Sequence, residues 1–270
     1  MSEPARPSET QSDRSAEVLC RIDGRVATIV LNRPEARNAV NPALAAAMTA
    51  VMADLERRPE VWVVILTGSG NLAFSAGADL KAIAAGTGHG IHTETGGFGG
   101  FVHYPRTKPV IAAVNGLALA GGCELVLACD IVVASKKAEF GLPEVKRGIV
   151  ASGGALFRLP TRIPRGRAIE LILTGDRLSA DEAFELGLVD HVVEPGEEIR
   201  VAQEIAERIC ANAPIAVRES LAIARRAANL SEADGWAASA AARERVLSTS
   251  DGIEGPRAFA EKRPPVWRGE

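Results

Sequence analysis

Aromatic side chains are scarce in this chain. Phe, Trp and Tyr together make up 4% of the 270 residues, and there is a single tyrosine. The core must therefore be filled by Ala, Val, Leu and Ile, in a chain that is 47% hydrophobic and 24% charged. These proportions are close to those of soluble globular proteins and exclude a wholly disordered or fibrous chain. The length allows one large domain or two small ones with a sizeable core.

A surplus of basic residues is also absent. The chain has 31 Lys and Arg residues against 34 Asp and Glu, which gives a net charge of −3 and a pI of about 5.9. Domains that bind nucleic acids normally carry a positive excess that attracts phosphates. We therefore expect no nucleic acid among the partners of this protein.

Cysteines are few and dispersed, and no CxxC pair occurs among the four. A core of this size needs no disulfide staples, so we expect reduced thiols and a cytoplasmic location. No metal site is expected either, because His89 and His92 have no further ligand at a suitable spacing. Cys123 is interpreted as a small packing residue rather than a nucleophile.

Long apolar runs are interrupted by polar groups. The most apolar region, residues 109–134, contains Glu124 and Asp130. A carboxylate at membrane depth costs roughly 2.5 kcal/mol or more, so we expect a buried strand and helix there and no membrane association. Residues 1–16 have no apolar stretch and are predicted to form a disordered tail rather than a signal peptide.

Strand and helix patterns alternate along most of the chain. Asp23-Gly24 between two β-rich runs predicts a hairpin, and Pro42 predicts the start of a helix that ends near Arg57. The apolar run at residues 61–67 predicts a strand covered on both faces. We therefore expect an α/β core over residues 17–195, followed by a helical region over residues 196–270.

Glycine, unlike the residues above, is plentiful, with 26 in the chain. Residues 86–100 read GTGHGIHTETGGFGG and show no periodicity, so we expect a mobile loop or a lid there. Two other glycine-bordered turns, at residues 75–79 and 115–125, follow buried strands. If both face one pocket, two backbone N–H groups can hold one carbonyl oxygen, which is the arrangement of an oxyanion hole.

Two glutamates accompany these turns. Glu124 lies about one turn into the helix that starts near Gly121, and Glu144 follows a proline in an apolar stretch. Two carboxyl groups in one apolar pocket have their pKa values pushed apart, which suits them to act as acid and base. Taken singly, Glu124 more often complements a helix dipole, and Glu144 more often lies at the surface.

Six segments in this order resemble the crotonase superfamily, the enoyl-CoA hydratases and isomerases. The resemblance covers residues 18–268. The segments are Asn32-Arg33-Pro34 with Asn38-Ala39, FSAGADLKA (74–82), NGLALAGGCEL (115–125), FGLPEVKRG (140–148), LTGDRLSADEAFELGLVDHVV (173–193) and EGPRAFAEKR (254–263).

The resemblance implies a fold and a reaction. The fold is a crotonase-like ββα spiral core with a C-terminal helical region that assembles trimers or hexamers. The amides of Ala78 and Gly121 correspond to the oxyanion hole, and Glu124 and Glu144 to the catalytic pair that adds or removes water across the 2,3-double bond of an acyl-CoA. Coenzyme A is part of the substrate, so no separate cofactor is expected. A place in fatty acid metabolism follows from the same resemblance.

The resemblance also implies which residues contact coenzyme A. One group lies around the first turn, and Phe259 and Lys262 correspond to residues that reach coenzyme A in a neighbouring subunit. The first group comprises Arg37, Ala39, Ala76, Gly77, Asp79, Leu80, Lys81 and Gly122. Phe259 is equally explained by core packing, and Arg37 by a solvated loop position.

The C-terminal EGPRAFAEKRPPVWRG, the GGFGGF insert and the RLP sequence resemble the carnitinyl-CoA dehydratase branch in particular. A substrate of that branch carries a quaternary ammonium, for which Phe98, Phe101 and Tyr104 offer aromatic faces. A contact with an ordinary acyl chain explains the same residues more simply. An isomerase or another crotonase reaction is also compatible with these motifs. A further alternative is a non-catalytic acyl-CoA-binding or RNA-associated scaffold, but Glu124 and Glu144 speak against lost catalysis and the acidic pI speaks against RNA.

Two departures from the family pattern stand out. Residues 148–154, GIVASGG, lack the proline of the loop in which family hydratases use a backbone N–H to place the attacking water. The position of that N–H is therefore open. Ala120 replaces the first glycine of a GGG run, and we expect this replacement to have little effect.

Overall fold

The hairpin predicted at Asp23-Gly24 opens the fold, with Gly24 at φ +55°. A computed structural model describes residues 16–270, and the tail predicted for residues 1–16 lies, apart from Ala16, outside the described residues. The strands are β1 (Val18–Asp23), β2 (Val26–Leu31), β3 (Val63–Gly68), β4 (Ala73–Ser75), β5 (His92–Thr93), β6 (Gly97–Phe98), β7 (Val110–Val114), β8 (Leu117–Leu119), β9 (Ile131–Ser135), β10 (Glu139–Gly141), β11 (Arg177–Ser179) and β12 (His191–Val193).

Helices alternate with these strands and then dominate the C-terminal part of the chain. The α-helices are α1 (Pro42–Arg57), α2 (Leu80–Ala84), α3 (Gly121–Leu127), α4 (Ala155–Arg162), α5 (Arg165–Thr174), α6 (Ala180–Glu185), α7 (Glu198–Cys210), α8 (Pro214–Ala224), α9 (Glu232–Leu247) and α10 (Ser250–Ala260). Short 3-10 helices span Pro34–Ala36, Pro143–Arg147 and Ala227–Asn229. The helix predicted from Pro42 to Arg57 is confirmed.

The larger sheet has the strand order β1-β2-β3-β7-β9-β12 and is parallel except for the β1–β2 hairpin. Every residue of β3 is buried. Val63 and Ile65 pack with Ala202 of α7, whereas Val64 and Leu66 belong to the cluster that contains α1. The prediction of a strand covered on both faces is confirmed, since a parallel sheet needs helices on each side.

The smaller sheet positions the site. Its order is β11-β10-β8-β4, and β4, β8 and β10 run parallel to one another. Parallel neighbours end at the same edge of a sheet. The chain segments that follow these strands, residues 76–79, 120–122 and 142–144, therefore meet at one edge. The α/β fold class with parallel strands is confirmed.

The glycine-rich segment differs from the expected loop in its second half. β5 and β6 pair as a small antiparallel hairpin. Phe98, Phe101 and Val102 are buried in the main core, and residues 96–102 have no exposed member. Long-range packing orders this half, although its sequence shows no periodicity. Most of residues 86–90 are exposed.

The C-terminal helices pack in two ways. α7 covers one face of the larger sheet, while α8 packs on α9 and α9 on α10. Arg225, just after α8, holds Asp130 with two hydrogen bonds of 2.7 Å, which fastens these helices to the end of α3. The predicted division at residue 195 stays a prediction, and α7, which follows it, is part of the packing around the sheet. No helix over residues 16–270 has both the length and the apolar character to cross a membrane.

Candidate active site

The two glycine-bordered turns meet at the edge of the smaller sheet. Gly77 has φ +86°, and a Cβ added there would lie 2.7 Å from the backbone nitrogen of Gly121 and 2.9 Å from the Cβ of Ala120. Only glycine tolerates both this backbone conformation and this approach. The amide of Gly121, at the start of α3, therefore lies directly against the first turn.

Two backbone donors at this junction find no acceptor in the described part of the chain. The N–H of Val40 donates to the carbonyl of Gly77 (2.7 Å), and the N–H of Asp79 donates to the carbonyl of Val40 (2.9 Å). Neighbouring peptide groups of an extended segment point in opposite directions, so the N–H of Ala78 faces away from Val40. Within the described residues, neither this N–H nor that of Gly121 donates a hydrogen bond to another group of the protein.

Glu124 is held on one side of the pocket by the backbone. It lies on α3 and is 3% exposed. Its Oε1 accepts a hydrogen bond from the N–H of Ala155 (3.1 Å), and the N–H groups of Gly153 and Gly154 also act on the carboxylate. Burial raises the pKa of Glu124, while these backbone donors and the Arg158 guanidinium oppose the rise.

Glu144 lies on the other side and is held more loosely. It sits in the 3-10 helix that follows β10 and is 6% exposed. Its Oε2 has no hydrogen-bond partner within the described part of the protein. Burial raises the pKa of Glu144 to about 7, its own backbone N–H opposes the rise, and the charge of Glu124 adds to it. The charge of Glu124 acts on Glu144, so the two buried carboxyl groups lie near each other.

Comparison with known proteins identifies the family of this chain. A sequence model of the family described as enoyl-CoA hydratase/isomerase matches residues 21–270. The chain belongs to the enoyl-CoA hydratase/isomerase family. The resemblance drawn from the motifs is thereby confirmed, and the protein is an enzyme of this family.

Individual relatives cover nearly the whole chain. It is 40% identical to a carnitinyl-CoA dehydratase of Salmonella typhi over 92% of this chain and 96% of the relative. Among solved structures, an enoyl-CoA hydratase from Mycobacterium tuberculosis H37Rv is 46% identical, with a TM-score of 0.90 and coverage of 95% of this chain and 100% of that one. A carnitinyl-CoA hydratase from Mycobacterium avium is 44% identical, with a TM-score of 0.74 and coverage of 94% and 99%.

Ala120 stands where the family has a glycine, and it keeps a glycine-like backbone conformation. Its φ of +53° and ψ of −129° lie in a region that residues with a Cβ rarely adopt. Such a conformation costs of order 1–3 kcal/mol and persists only where the surroundings enforce it. The expectation that this replacement has little effect stays a prediction.

Asn38 is a positioning residue for which the motifs alone predict no role. It is fully buried with φ +53°, and its Nδ2 donates to the carbonyl groups of Ser69 (2.9 Å) and Ala73 (2.8 Å). Its carbonyl accepts a hydrogen bond from the Ser75 hydroxyl (2.8 Å). These contacts fix the start of the first turn. An asparagine tolerates a left-handed backbone, which is the only local signal for this role.

The residues expected to contact coenzyme A near the first turn do lie together. The N–H of Ala76 donates to the carbonyl of Arg37 (3.0 Å), and Arg33 joins the carbonyl of Ala39 (2.6 Å) to Asp79 (3.0 Å). Asp79 also caps α2, so its carboxylate is engaged within the protein. Leu80 and Lys81 are exposed on α2, and Gly77 and Gly122 line the junction.

The two C-terminal residues expected to contact coenzyme A, Phe259 and Lys262, lie at the exposed end of α10. Phe259 is 87% exposed and Lys262 is exposed as well, just beyond the end of α10. Neither residue contributes to the buried pocket of this chain. Their predicted role in a neighbouring subunit stays a prediction.

Two of the aromatic residues considered as contacts for a cationic substrate, Phe98 and Phe101, already pack against other groups of the protein. Phe101 is fully buried, and the Arg106 guanidinium covers its ring at 5.0 Å. Phe98 packs against Gly121, where a Cβ would lie 2.3 Å from the ring, and its other side meets His92 with 5.5 Å between ring centroids. Phe101 is therefore not available as a face for a quaternary ammonium.

A cavity of about 370 Å³ adjoins this aromatic contact. It is lined by Ile83, Gly86, Gly88, His89, Gly90, Ile91 and His92. Because His92 also touches Phe98, one ring separates this cavity from Gly121. Burial raises the pKa of Cys123 to about 12, so this thiol stays protonated at neutral pH.

No cluster of metal-ligating side chains occurs among residues 16–270.

Proposed function

We propose that the protein is an acyl-CoA hydro-lyase that adds or removes water across the 2,3-double bond of a coenzyme A thioester. The observation that carries the proposal is the pairing of Glu124 and Glu144 in one buried pocket beside two N–H groups that have no acceptor among the described residues. The names of the family relatives, which are hydratases and dehydratases, support the same reaction class.

The two N–H groups act on the thioester carbonyl. Negative charge collects on that oxygen when the α-carbon becomes enolate-like. The N–H groups of Ala78 and Gly121 are fixed by the sheet edge and the start of α3, so they need no rearrangement as the charge develops. Each such donor contributes about 3–4 kcal/mol to the stability of a transition state.

The two carboxyl groups divide the proton transfers. Glu124 is stabilised as a carboxylate by backbone N–H groups, so it orients a water molecule and accepts its proton. The oxygen then bonds to C3 of the enoyl group. Glu144, with a pKa of about 7 and an Oε2 that no described residue engages, is protonated in a large part of the molecules and delivers its proton to C2. In the reverse direction the two groups exchange these roles.

Coenzyme A binding is part of the same proposal. Arg37 and Lys81 are exposed beside the first turn, where positive charge favours the phosphates of the substrate. A second cavity of about 70 Å³ lies next to Arg37, between residues 34–38 and 69–73. We further propose that the coenzyme A of the substrate is the only coenzyme required, and that the enzyme is cytoplasmic and serves fatty acid metabolism.

Self-association into trimers or hexamers belongs to the proposal as well. Large apolar side chains are exposed on the C-terminal helices and on α4, including Trp236 (70%), Phe259 (87%) and Phe157 (66%). Exposed apolar side chains mark an interaction surface where they form a contiguous patch. A neighbouring subunit is the partner that the family resemblance implies for this surface.

Carnitinyl-CoA dehydration is the second candidate function. The relatives from Salmonella typhi and Mycobacterium avium carry this name or the name of its hydratase counterpart. Against it, the Phe101 ring is already covered by Arg106. Simple enoyl-CoA hydration is therefore preferred.

A panel of acyl-CoA thioesters decides between these functions. Crotonyl-CoA is expected to lose its enoyl thioester absorbance, and mass spectrometry is expected to show one added water. Carnitinyl-CoA in the same panel tests the second candidate. Deuterium entering the α-carbon without net hydration would favour an isomerase, and no change in any thioester would favour a non-catalytic binding protein.

A further inference from the structure

Arg158, in the first half of α4, is a partly buried cation that the reaction described above does not use. Within residues 16–270 it forms no ion pair, unlike Arg162 one turn later, which pairs with Asp190 at 3.0 Å. Its hydrogen bonds go to the carbonyl groups of Gly153 (3.2 Å) and Val102 (2.6 Å). A guanidinium removed from water without a carboxylate partner is costly, so another source of compensation is required.

The hydrogen bond to Gly153 orients the loop that holds Glu124. The carbonyl of Gly153 and the N–H of Gly154 belong to one planar peptide group and point in opposite directions. Arg158 binds the carbonyl, and the N–H on the opposite side faces the Glu124 carboxylate. The second hydrogen bond ties the same guanidinium to Val102, in the buried segment that also contains Phe98.

The charges around Glu124 come from three elements. Arg158 on α4 favours its ionised form, and the charge of Glu124 in turn raises the pKa of Glu144 on the 3-10 helix. Cys123, its neighbour on α3, stays protonated because burial raises the pKa of its thiol to about 12. Arg158 is the positive side chain that favours the ionised form of Glu124.

The groups around Arg158 also link it to Glu124. Burial and the charge of Arg106 lower the pKa of Arg158, whereas Glu124 and Cys129 oppose this change. Burial raises the pKa of the Cys129 thiol to about 12, so Cys129 is neutral near pH 7. Glu124 is thus the carboxyl group whose charge opposes the lowering of the Arg158 pKa.

We propose that Arg158 is a positioning residue for Glu124, which turns the Gly153–Gly154 peptide toward the carboxylate and supplies the opposite charge through space. The inference rests on the proposed function in one respect, namely that Glu124 must be ionised for turnover. The proposal also explains how the loop at residues 148–154 is held in place although it lacks the proline of family hydratases. The side chain of Arg158, on α4, fixes the loop instead.

The activity test compares Arg158→Gln and Arg158→Lys with wild type, and uses Arg162→Gln as a matched control on the same helix. For crotonyl-CoA, or the best substrate of the panel, we expect Arg158→Gln to lower kcat about 10- to 100-fold. We expect the acid limb of its pH–rate profile to move upward by about half to one pH unit. Arg158→Lys should keep the acid limb near wild type, and Arg162→Gln should leave both unchanged. An acid limb of Arg158→Gln that coincides with wild type would overturn the proposal.

A second arm does not depend on activity. The unfolding equilibria of Arg158→Gln, Glu124→Gln and the double variant are measured in urea at pH 7. Each single variant already removes the interaction between Arg158 and Glu124. We therefore expect the double variant to change the unfolding equilibrium constant by a factor at least about threefold smaller than the product of the two single-variant factors. Independent, multiplicative effects would contradict the inference even if no acyl-CoA is turned over, so its failure is distinct from a failure of the proposed function.

Discussion

The two sides of the pocket hold chemically identical side chains in different ways. On the α3 side, Glu124 is met by backbone N–H groups from residues 153–155 and by the charge of Arg158. On the β10 side, Glu144 follows a proline, has one oxygen without a partner among the described residues and has a pKa of about 7. In the proposed reaction, this difference lets one residue type supply both a fixed carboxylate and an exchangeable proton.

The largest expected effect comes from removing the exchangeable proton. In Glu144→Gln the side chain keeps its size but loses its acid, so we expect kcat to fall about 10²- to 10⁴-fold with little change in KM. The matched control is Glu139→Gln, at the start of β10, whose carboxylate pairs with Arg177 at the surface. Steady-state assays on folded protein check this. Wild-type turnover by Glu144→Gln would refute the division of roles.

A second variant separates the N–H groups from the carboxyl groups. Gly77→Ala places a methyl group 2.7 Å from the nitrogen of Gly121, which must push the two donors apart. We expect kcat to fall about 10²- to 10³-fold, as for the loss of one oxyanion donor. Gly86→Ala has a similarly positive φ (+74°) but open space around its Cβ, so it reports backbone strain alone. Equal losses of activity in both variants would contradict the role of the two N–H groups.

The raised pKa of Glu144 also predicts how stability depends on pH. The pKa is about 7 in the folded chain against an ordinary value of 4.5. Between these values the folded state keeps a proton that the unfolded state has released. The free energy of unfolding therefore falls as pH rises from about 4.5 to about 7 and is level above that range.

Glu144→Gln removes this dependence because its amide does not ionise. Near pH 8 we expect the variant to be about 1–3 kcal/mol more stable than wild type although it is inactive, and near pH 4 we expect equal stability. Urea unfolding at both pH values measures the difference. A variant less stable than wild type at both pH values would show that the Glu144 carboxyl is not destabilised by burial.

The smallest effect concerns the strained residue beside the pocket. Ala120→Gly relieves the φ of +53° and ψ of −129°, while the unfolded chain gains freedom. We expect a net stabilisation of about 1 kcal/mol. Ala118→Gly in β8 is the control and should destabilise by about 0.5–1 kcal/mol. If both variants lose stability equally in thermal unfolding, the turn before α3 is not strained.

The local features of this pocket can be predicted from the sequence, whereas its long-range contacts cannot. Buried strands followed by glycine turns predict the edge at which residues 76–79 and 120–122 meet. Glu124 and Glu144 are candidate acid–base residues because both lie in apolar stretches, and the family resemblance implies that they act as a pair. By contrast, the hydrogen bonds of Asn38 to Ser69 and Ala73, and that of Arg158 to Val102, join residues 31 or more positions apart. Their partners are carbonyl groups that no sequence pattern marks.

The structure of the glycine-rich segment, residues 86–100, also could not be predicted from its sequence. Its composition predicts a loop over residues 86–100, yet Phe98 packs on Gly121 of α3, and Thr93 is hydrogen-bonded to Thr49 of α1 (3.0 Å). The order of this segment therefore comes from helices that are distant from it in sequence. Fold class and pocket edge therefore follow from periodicity, whereas the packing around Glu124 requires the structure.

Incorporation of solvent oxygen tests the central claim most directly. Wild type, Glu124→Gln and Glu144→Gln are incubated with crotonyl-CoA in H₂¹⁸O, and the 3-hydroxyacyl-CoA is followed by mass spectrometry. We expect one ¹⁸O in the wild-type product and incorporation at least about 100-fold slower in each variant. Unlabelled product from wild type, or undiminished incorporation in either variant, would contradict a pocket in which both carboxyl groups act on one water.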